Sequence, residues 1–134
     1  MKGLGTAEKE AVRTEAAPAP FQGAPYSQAI RAGGIVFVSG QLALRPGSPE
    51  IVGEAIAEQT EQVFANLRAI LEAAGSGLDR IVKTTVYLRN LDDFQGMNEV
   101  YRQHVGTVPP ARATLEVSAL PSGALVEIDA IALA

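Results

Sequence analysis

Two hydrophobic periods alternate along this chain. In IVKTTVYL (81–88), Val82, Thr84, Val86 and Leu88 alternate with Ile81, Lys83, Thr85 and Tyr87, the repeat of a half-buried strand. Over residues 54–74, Ile56, Val63, Phe64, Leu67, Ile70, Leu71 and Ala74 recur every three or four positions instead. That spacing lines one face of a helix, which Gly75 and Gly77 stop. The β-branched run GGIVFVSGQLAL (33–44) predicts a strand, and RPGSPE (45–50) turns the chain after it. A second helix is predicted from an N-cap at Asp92 to about His104, with Phe94, Met97 and Tyr101 as its apolar stripe. Strands from Arg112 to Ala119 and over 125–133 follow, joined tightly by PSGA.

Before the first strand, Met1 to about Glu10 is small and polar and reads as a loose arm, while AAPAPFQGAPY (16–26) reads as an extended or turning segment. The order β-α-β-α-β-β predicts an α+β mixed sheet with both helices on one face. The other face is expected to carry Lys83, Thr85, Arg112, Thr114, Glu116, Glu127 and Asp129 among apolar neighbours. Such a face is either solvated or buried against another subunit. The 134 residues suit one domain, read as an arm over 1–15 and a domain over 16–134.

Composition narrows the classes. A hydrophobic share of 47% against 19% charged fits a globular core rather than a disordered chain. The net charge of −4, with no Lys/Arg block, argues against electrostatic nucleic-acid binding. Cysteine is absent and His104 is the single histidine, which removes thiolate chemistry and a multi-histidine zinc site within one chain. No apolar run reaches the ~18–20 residues of a membrane span, and the N-terminal stretch lacks a signal peptide's apolar centre. A cytoplasmic protein is expected.

Candidate chemistry is sparse. In PPARATLEV (109–117), Arg112 is either a solvated strand residue or a planar fork for a carboxylate. Glu127, between Val126 and Ile128, is either an outward-facing glutamate or a carboxylate that holds a water. Asp129 on the same face favours the plainer reading. If the chain reverses at Ser122–Gly123, Glu127 lies level with Ser118, roughly 20 Å along the strands from Arg112. The two then share a ligand only across a subunit boundary. Ser39 lacks the G-x-S-x-G frame of a nucleophile elbow. His104 reads as a helix-end residue, Asn98 as a solvated helix position, and Tyr26 as a packing aromatic with a wet hydroxyl.

With these residues in view, the chain resembles the RidA family of reactive intermediate deaminases, also called the YjgF family. APYSQAI (24–30), VFVSGQL (36–42), IVKTTVYL with NLDDF (90–94), MNEVY (97–101) and the tail PPARATLEVSALPSGALVEIDAIA match in order and spacing, from about residue 16 onward. The resemblance implies a chorismate-mutase-like α+β fold and a homotrimer with sites in the clefts between subunits. It implies hydrolysis of 2-enamine and 2-imine carboxylates, such as 2-aminoacrylate and 2-iminopropanoate, to 2-keto acids and ammonia without a cofactor or metal. Carried over by position, Arg112 would clamp the substrate carboxylate and Glu127 would position the attacking water. Tyr26, Ser39, Gly40, Asn98 and Thr114 would line the pocket. Thr114 stands where many relatives carry cysteine. The N-terminal loop is about two residues longer than the usual form, with Ala24 in place of a glycine. The alternative on the same fold is a non-catalytic module that binds small carboxylates. Chorismate mutase is a further reading, although the matched motifs are those of the deaminases.

Overall fold

A computed structural model describes residues 8–134. Six strands form one mixed sheet: β1 (Glu10–Val12), β2 (Ala29–Ala32), β3 (Ile35–Gln41), β4 (Ile81–Leu88), β5 (Ala111–Glu116) and β6 (Val126–Leu133). Their order is β1-β2-β3-β6-β4-β5. The last strand thus inserts antiparallel between β3 and β4, and β5 runs parallel to β4 at the edge. The helices α1 (Ile56–Ala73) and α2 (Phe94–Tyr101) carry the chain from β3 to β4 and from β4 to β5. Among the described residues, no helix is long and apolar enough to cross a membrane.

One face of the sheet is covered by both helices. Val36, Val38, Val86, Leu88 and Ile128 pack there against Phe64, Leu67, Ile70 and Leu71 of α1 and Met97 of α2. Each large apolar side chain buried this way contributes roughly 1.5–3 kcal/mol, which fixes the side of the sheet that faces inward. Two polar residues of α1 are buried with them and tie down neighbouring loops. Asn66 donates to the carbonyls of Leu42 and Leu44 at 3.0 and 2.8 Å, and Gln59 Oε1 accepts the Leu125 N–H at 2.9 Å.

Several boundaries differ from expectation. The predicted strand over 33–44 is a hairpin arm that begins at Ile35. Gly33 and Gly34, with φ of 58° and 78°, form the two-residue turn from β2 that only left-handed backbone allows. The loose arm expected over 1–15 is corrected in part. Glu10–Val12 pair with β2, and Val12 and Ala17 are buried, because one more strand covers the hairpin edge. Residues 1–7 of that arm lie outside the described residues. The second helix starts later than predicted, after a 3-10 turn over Leu91–Asp93. Asn90, not Asp92, supplies the cap there, accepting the Asp92 N–H at 2.8 Å. His104 lies beyond the helix end, stacked on Phe64 at 4.8 Å with Nε2 2.6 Å from Glu61.

The main correction concerns β5. Arg112, Thr114 and Glu116 alternate as predicted, but they do not share a face with Lys83, Thr85, Glu127 and Asp129. Pairing sets Arg112 beside Thr84 and Thr114 beside Val86, the buried positions of β4. Arg112 therefore lies on the helix-covered face, at its edge. A shift of one residue in register would have reversed this, and only the tertiary pairing sets the register. The open face instead carries Phe37, Ile131, Lys83, Thr85, Tyr87, Leu115, Glu127 and Asp129.

Candidate functional site

The Glu127 side of the site begins with a bulge. Pairing of β3 with β6 runs from Ile35 opposite Leu133 to Val38 opposite Ala130, but Gln41 then faces Ile128. One extra residue on β3 is accommodated at Ser39–Gly40, which re-aims both. The Ser39 hydroxyl donates to the Ser27 carbonyl at 2.6 Å, and its N–H donates to the Gln28 carbonyl at 3.0 Å. Gly40 lies directly against Glu127: a Cβ there would stand 2.0 Å from Oε2. Only a glycine lets the carboxylate occupy this position.

Glu127 opens into a cavity of about 390 Å³ shared with Tyr26, Ser39, Gly40, Phe21, Leu42 and Pro121. Burial, and secondarily the neighbouring Asp129, hold its carboxyl above the usual glutamate range. Asp129 accepts from the Thr85 N–H and from the Tyr87 hydroxyl, both at 3.2 Å. The Tyr87 hydroxyl is itself pushed up by burial and then by Asp129. Tyr26 is exposed, and its hydroxyl accepts the Phe21 N–H at 2.6 Å.

Phe21 and Pro121 were not among the residues singled out from the sequence. Two matching turns present them. Gln22 and Ser122, with φ of 53° and 57°, occupy the left-handed region before Gly23 and Gly123. In each turn the following alanine N–H returns to the first residue, from Ala24 to Phe21 at 3.0 Å and from Ala124 to Pro121 at 3.1 Å. The shared Gly-Ala pair in FQGA and PSGA was the sequence signal for this pairing. Tyr26 also borders a larger cavity of about 650 Å³ beside β1, lined by Val12, Thr14 and Gln28.

Arg112 sits elsewhere. Its guanidinium carbon is 4.7 Å from the ring centroid of Tyr101 and 5.5 Å from that of Phe94, and Nη1 is 4.0 Å from Met97 Sδ. The ion pairs among the described residues are Arg102–Glu99 and His104–Glu61, so no carboxylate neutralises it. Asn98 lies on the same helix, and its Oδ1 is buried without a hydrogen-bond partner. Thr114 is half-buried, two residues along β5.

The predicted residues therefore fall into two clusters. Tyr26, Ser39, Gly40 and Glu127 come together, while Arg112, Asn98 and Thr114 lie along α2 and β5. Glu127 lies level with Tyr87, and through it with Leu115, not with Ser118. The symmetric reversal assumed from sequence fails because β6 pairs with β4 and not with β5. The separation itself remains: Arg112 and Glu127 occupy opposite faces, two strands apart.

Comparison with known proteins identifies the family. The family model described as endoribonuclease L-PSP matches residues 14–134, and the relatives that match over most of the chain include named reactive intermediate and imine deaminases. The chain belongs to the RidA family. A RutC family protein of Pyrococcus horikoshii is 51% identical over 92% of this chain and 97% of its own. The human protein named 2-iminobutanoate/2-iminopropanoate deaminase is 41% identical over 87% of this chain and 85% of its own. RidA from an Antarctic Psychrobacter superposes with a TM-score of 0.87 at 42% identity, covering 93% of this chain and 99% of that one. The RidA-family fold is the chorismate-mutase-like α+β fold, as expected. In this RidA-family chain the bulge and the arginine cradle are the two features that carry chemistry-bearing side chains into accessible positions.

Proposed function

We propose that this RidA-family chain hydrolyses reactive 2-imino acids, and the 2-enamines that tautomerise to them, to 2-keto acids and ammonia. The observation that carries the reading is Arg112, a permanent cation held by ring faces with no carboxylate among the described residues to neutralise it. The human relative's name supplies the substrate class, 2-iminobutanoate and 2-iminopropanoate. Both are small carboxylates that a guanidinium fork grips through two hydrogen bonds. Arg112 anchors the carboxylate, and Glu127 takes a proton from water as its oxygen bonds to the imine carbon. The C=N electron pair moves to nitrogen, which takes that proton back from Glu127, giving a neutral carbinolamine. The carbinolamine hydroxyl proton then passes by way of Glu127 to the amine as the C–N bond breaks, the carbonyl forms and ammonia leaves. Water and substrate balance the reaction, so no redox partner is required. The raised affinity of Glu127 for its proton, caused by burial and then by Asp129, suits a group that both accepts and returns one.

Because the two clusters lie on opposite faces of one sheet, one working site takes Arg112 from one copy of the chain and Glu127 from another. A homotrimer built on the open sheet faces supplies three such sites. Tyr26, Ser39 and Gly40 come with Glu127, and Asn98 and Thr114 with Arg112. An RNA-cleaving role, which the family model's description raises, finds less support. The single histidine is engaged by Glu61 and Phe64, and the net charge is −4.

The test is pyruvate release from freshly generated 2-iminopropanoate. The wild-type protein is expected to accelerate it and Arg112→Ala to abolish the acceleration; a folded wild-type protein no faster than buffer overturns the reading. Glu127→Gln is expected to lose rate while still binding 2-oxobutanoate. A module that only binds carboxylates would show no catalysis in either form.

A further inference from the structure

We propose that Tyr101 and Phe94 are positioning residues for Arg112, holding its guanidinium in place without neutralising it, so that substrate carboxylate affinity depends on them and the chemical step does not. The inference rests on the carboxylate-anchoring role of Arg112 proposed above.

An acidic neighbour would fix an edge-strand arginine but would compete with any incoming carboxylate. Here the fixing contacts contain no anion. The guanidinium lies over two ring faces, whose negative quadrupole attracts the cation without occupying its N–H donors. Its one hydrogen bond among the described residues is to the Met97 thioether, a weak acceptor. The fork therefore remains available for two strong hydrogen bonds.

The cradle is rigid for a traceable reason. The buried Tyr101 hydroxyl and Thr84 Oγ1 are 2.7 Å apart. Thr84 is the strand neighbour of Arg112 across the β4–β5 pair. One residue thus registers the tyrosine to the same strand position that carries the arginine. The Tyr101 ring packs against Phe64, edge to face at 5.5 Å. Met97, between the two cradle rings in sequence, is fully buried. From sequence, Phe94, Met97 and Tyr101 read only as the apolar stripe of the helix.

The experiment compares Tyr101→Leu, Tyr101→Phe and Phe94→Leu with wild type in steady-state imine hydrolysis and in calorimetric binding of 2-oxobutanoate. Loss of one cation–π contact is expected to raise KM and the 2-oxobutanoate Kd by about three- to thirtyfold in the leucine variants. Turnover should stay within about twofold, because the carboxylate is held equally in ground and transition states. Tyr101→Phe keeps the ring and should recover most of the affinity. If Tyr101→Leu fails to fold, Phe94→Leu at the half-buried rim decides the matter. Unchanged KM and Kd in folded leucine variants overturn the cradle, and so does a fall in kcat alone. If wild type binds 2-oxobutanoate but hydrolyses no imine, the proposed reaction fails while the binding arm still tests the cradle.

Discussion

Glu127 is the residue whose behaviour with pH is most informative. Its carboxyl is held above the ordinary range first by burial and then by Asp129. The proposed step needs the ionised form to accept a proton, so kcat/KM should fall toward acid at a higher pH than a free glutamate would give. Asp129→Asn removes the neighbouring charge, and the acidic limb of the kcat/KM profile is expected to move to lower pH. A profile that stays in place would remove Glu127 as the base. Stability follows the opposite sense. A carboxyl with a raised folded-state pKa binds more protons folded than unfolded between the two values. Stability is therefore full below the unfolded pKa and declines as pH rises through the folded one. Glu127→Gln should thus raise Tm at neutral pH, and the gain should disappear below about pH 4 in the same melting series. At this scale the candidates were legible: the residue types of Arg112 and Glu127 and their strand alternation are evident in the sequence. The engagement of His104 by Glu61 and Phe64, by contrast, needed the segment after α2 to be brought against α1.

Among the elements, the Ser39–Gly40 bulge is the one on which the Glu127 side depends. Gly40→Ala would drive a methyl into the Glu127 carboxylate, so either the bulge shifts or Glu127 rotates out of the cavity. The cost in stability is expected to be small, because the clashing atoms end a flexible side chain that can turn away, while activity falls sharply as the carboxylate leaves the cavity. A melting curve beside a turnover assay separates the two; full activity in Gly40→Ala would refute the packing argument. The long, strongly periodic elements were readable in advance, α1 and β4 above all, because burial imposes their repeats directly. β2 was not, since four residues ahead of a glycine pair carry too little pattern. β1 was missed because its pairing, not its composition, makes Glu10–Val12 a strand.

At the scale of the whole molecule, the open sheet face and the separation of the two clusters point to the same test. Neither Arg112→Ala nor Glu127→Gln should turn over alone. Dissociated together and reassembled, random mixtures of the proposed trimer should recover about a quarter of wild-type activity, because one site in four then draws an intact Arg112 and an intact Glu127 from different copies. Sites contained within single chains would recover none. By itself the sequence determined the α+β class, the two helices and the five principal motifs, since local periodicity and turn chemistry act over a few residues at a time. The tertiary structure alone decided which face Arg112 occupies, that Gly40 must be a glycine, and that Phe94 and Tyr101 cradle a cation. Each of these depends on strand register or on contact between distant segments, and shifting the register by one residue inverts a face without altering any local pattern.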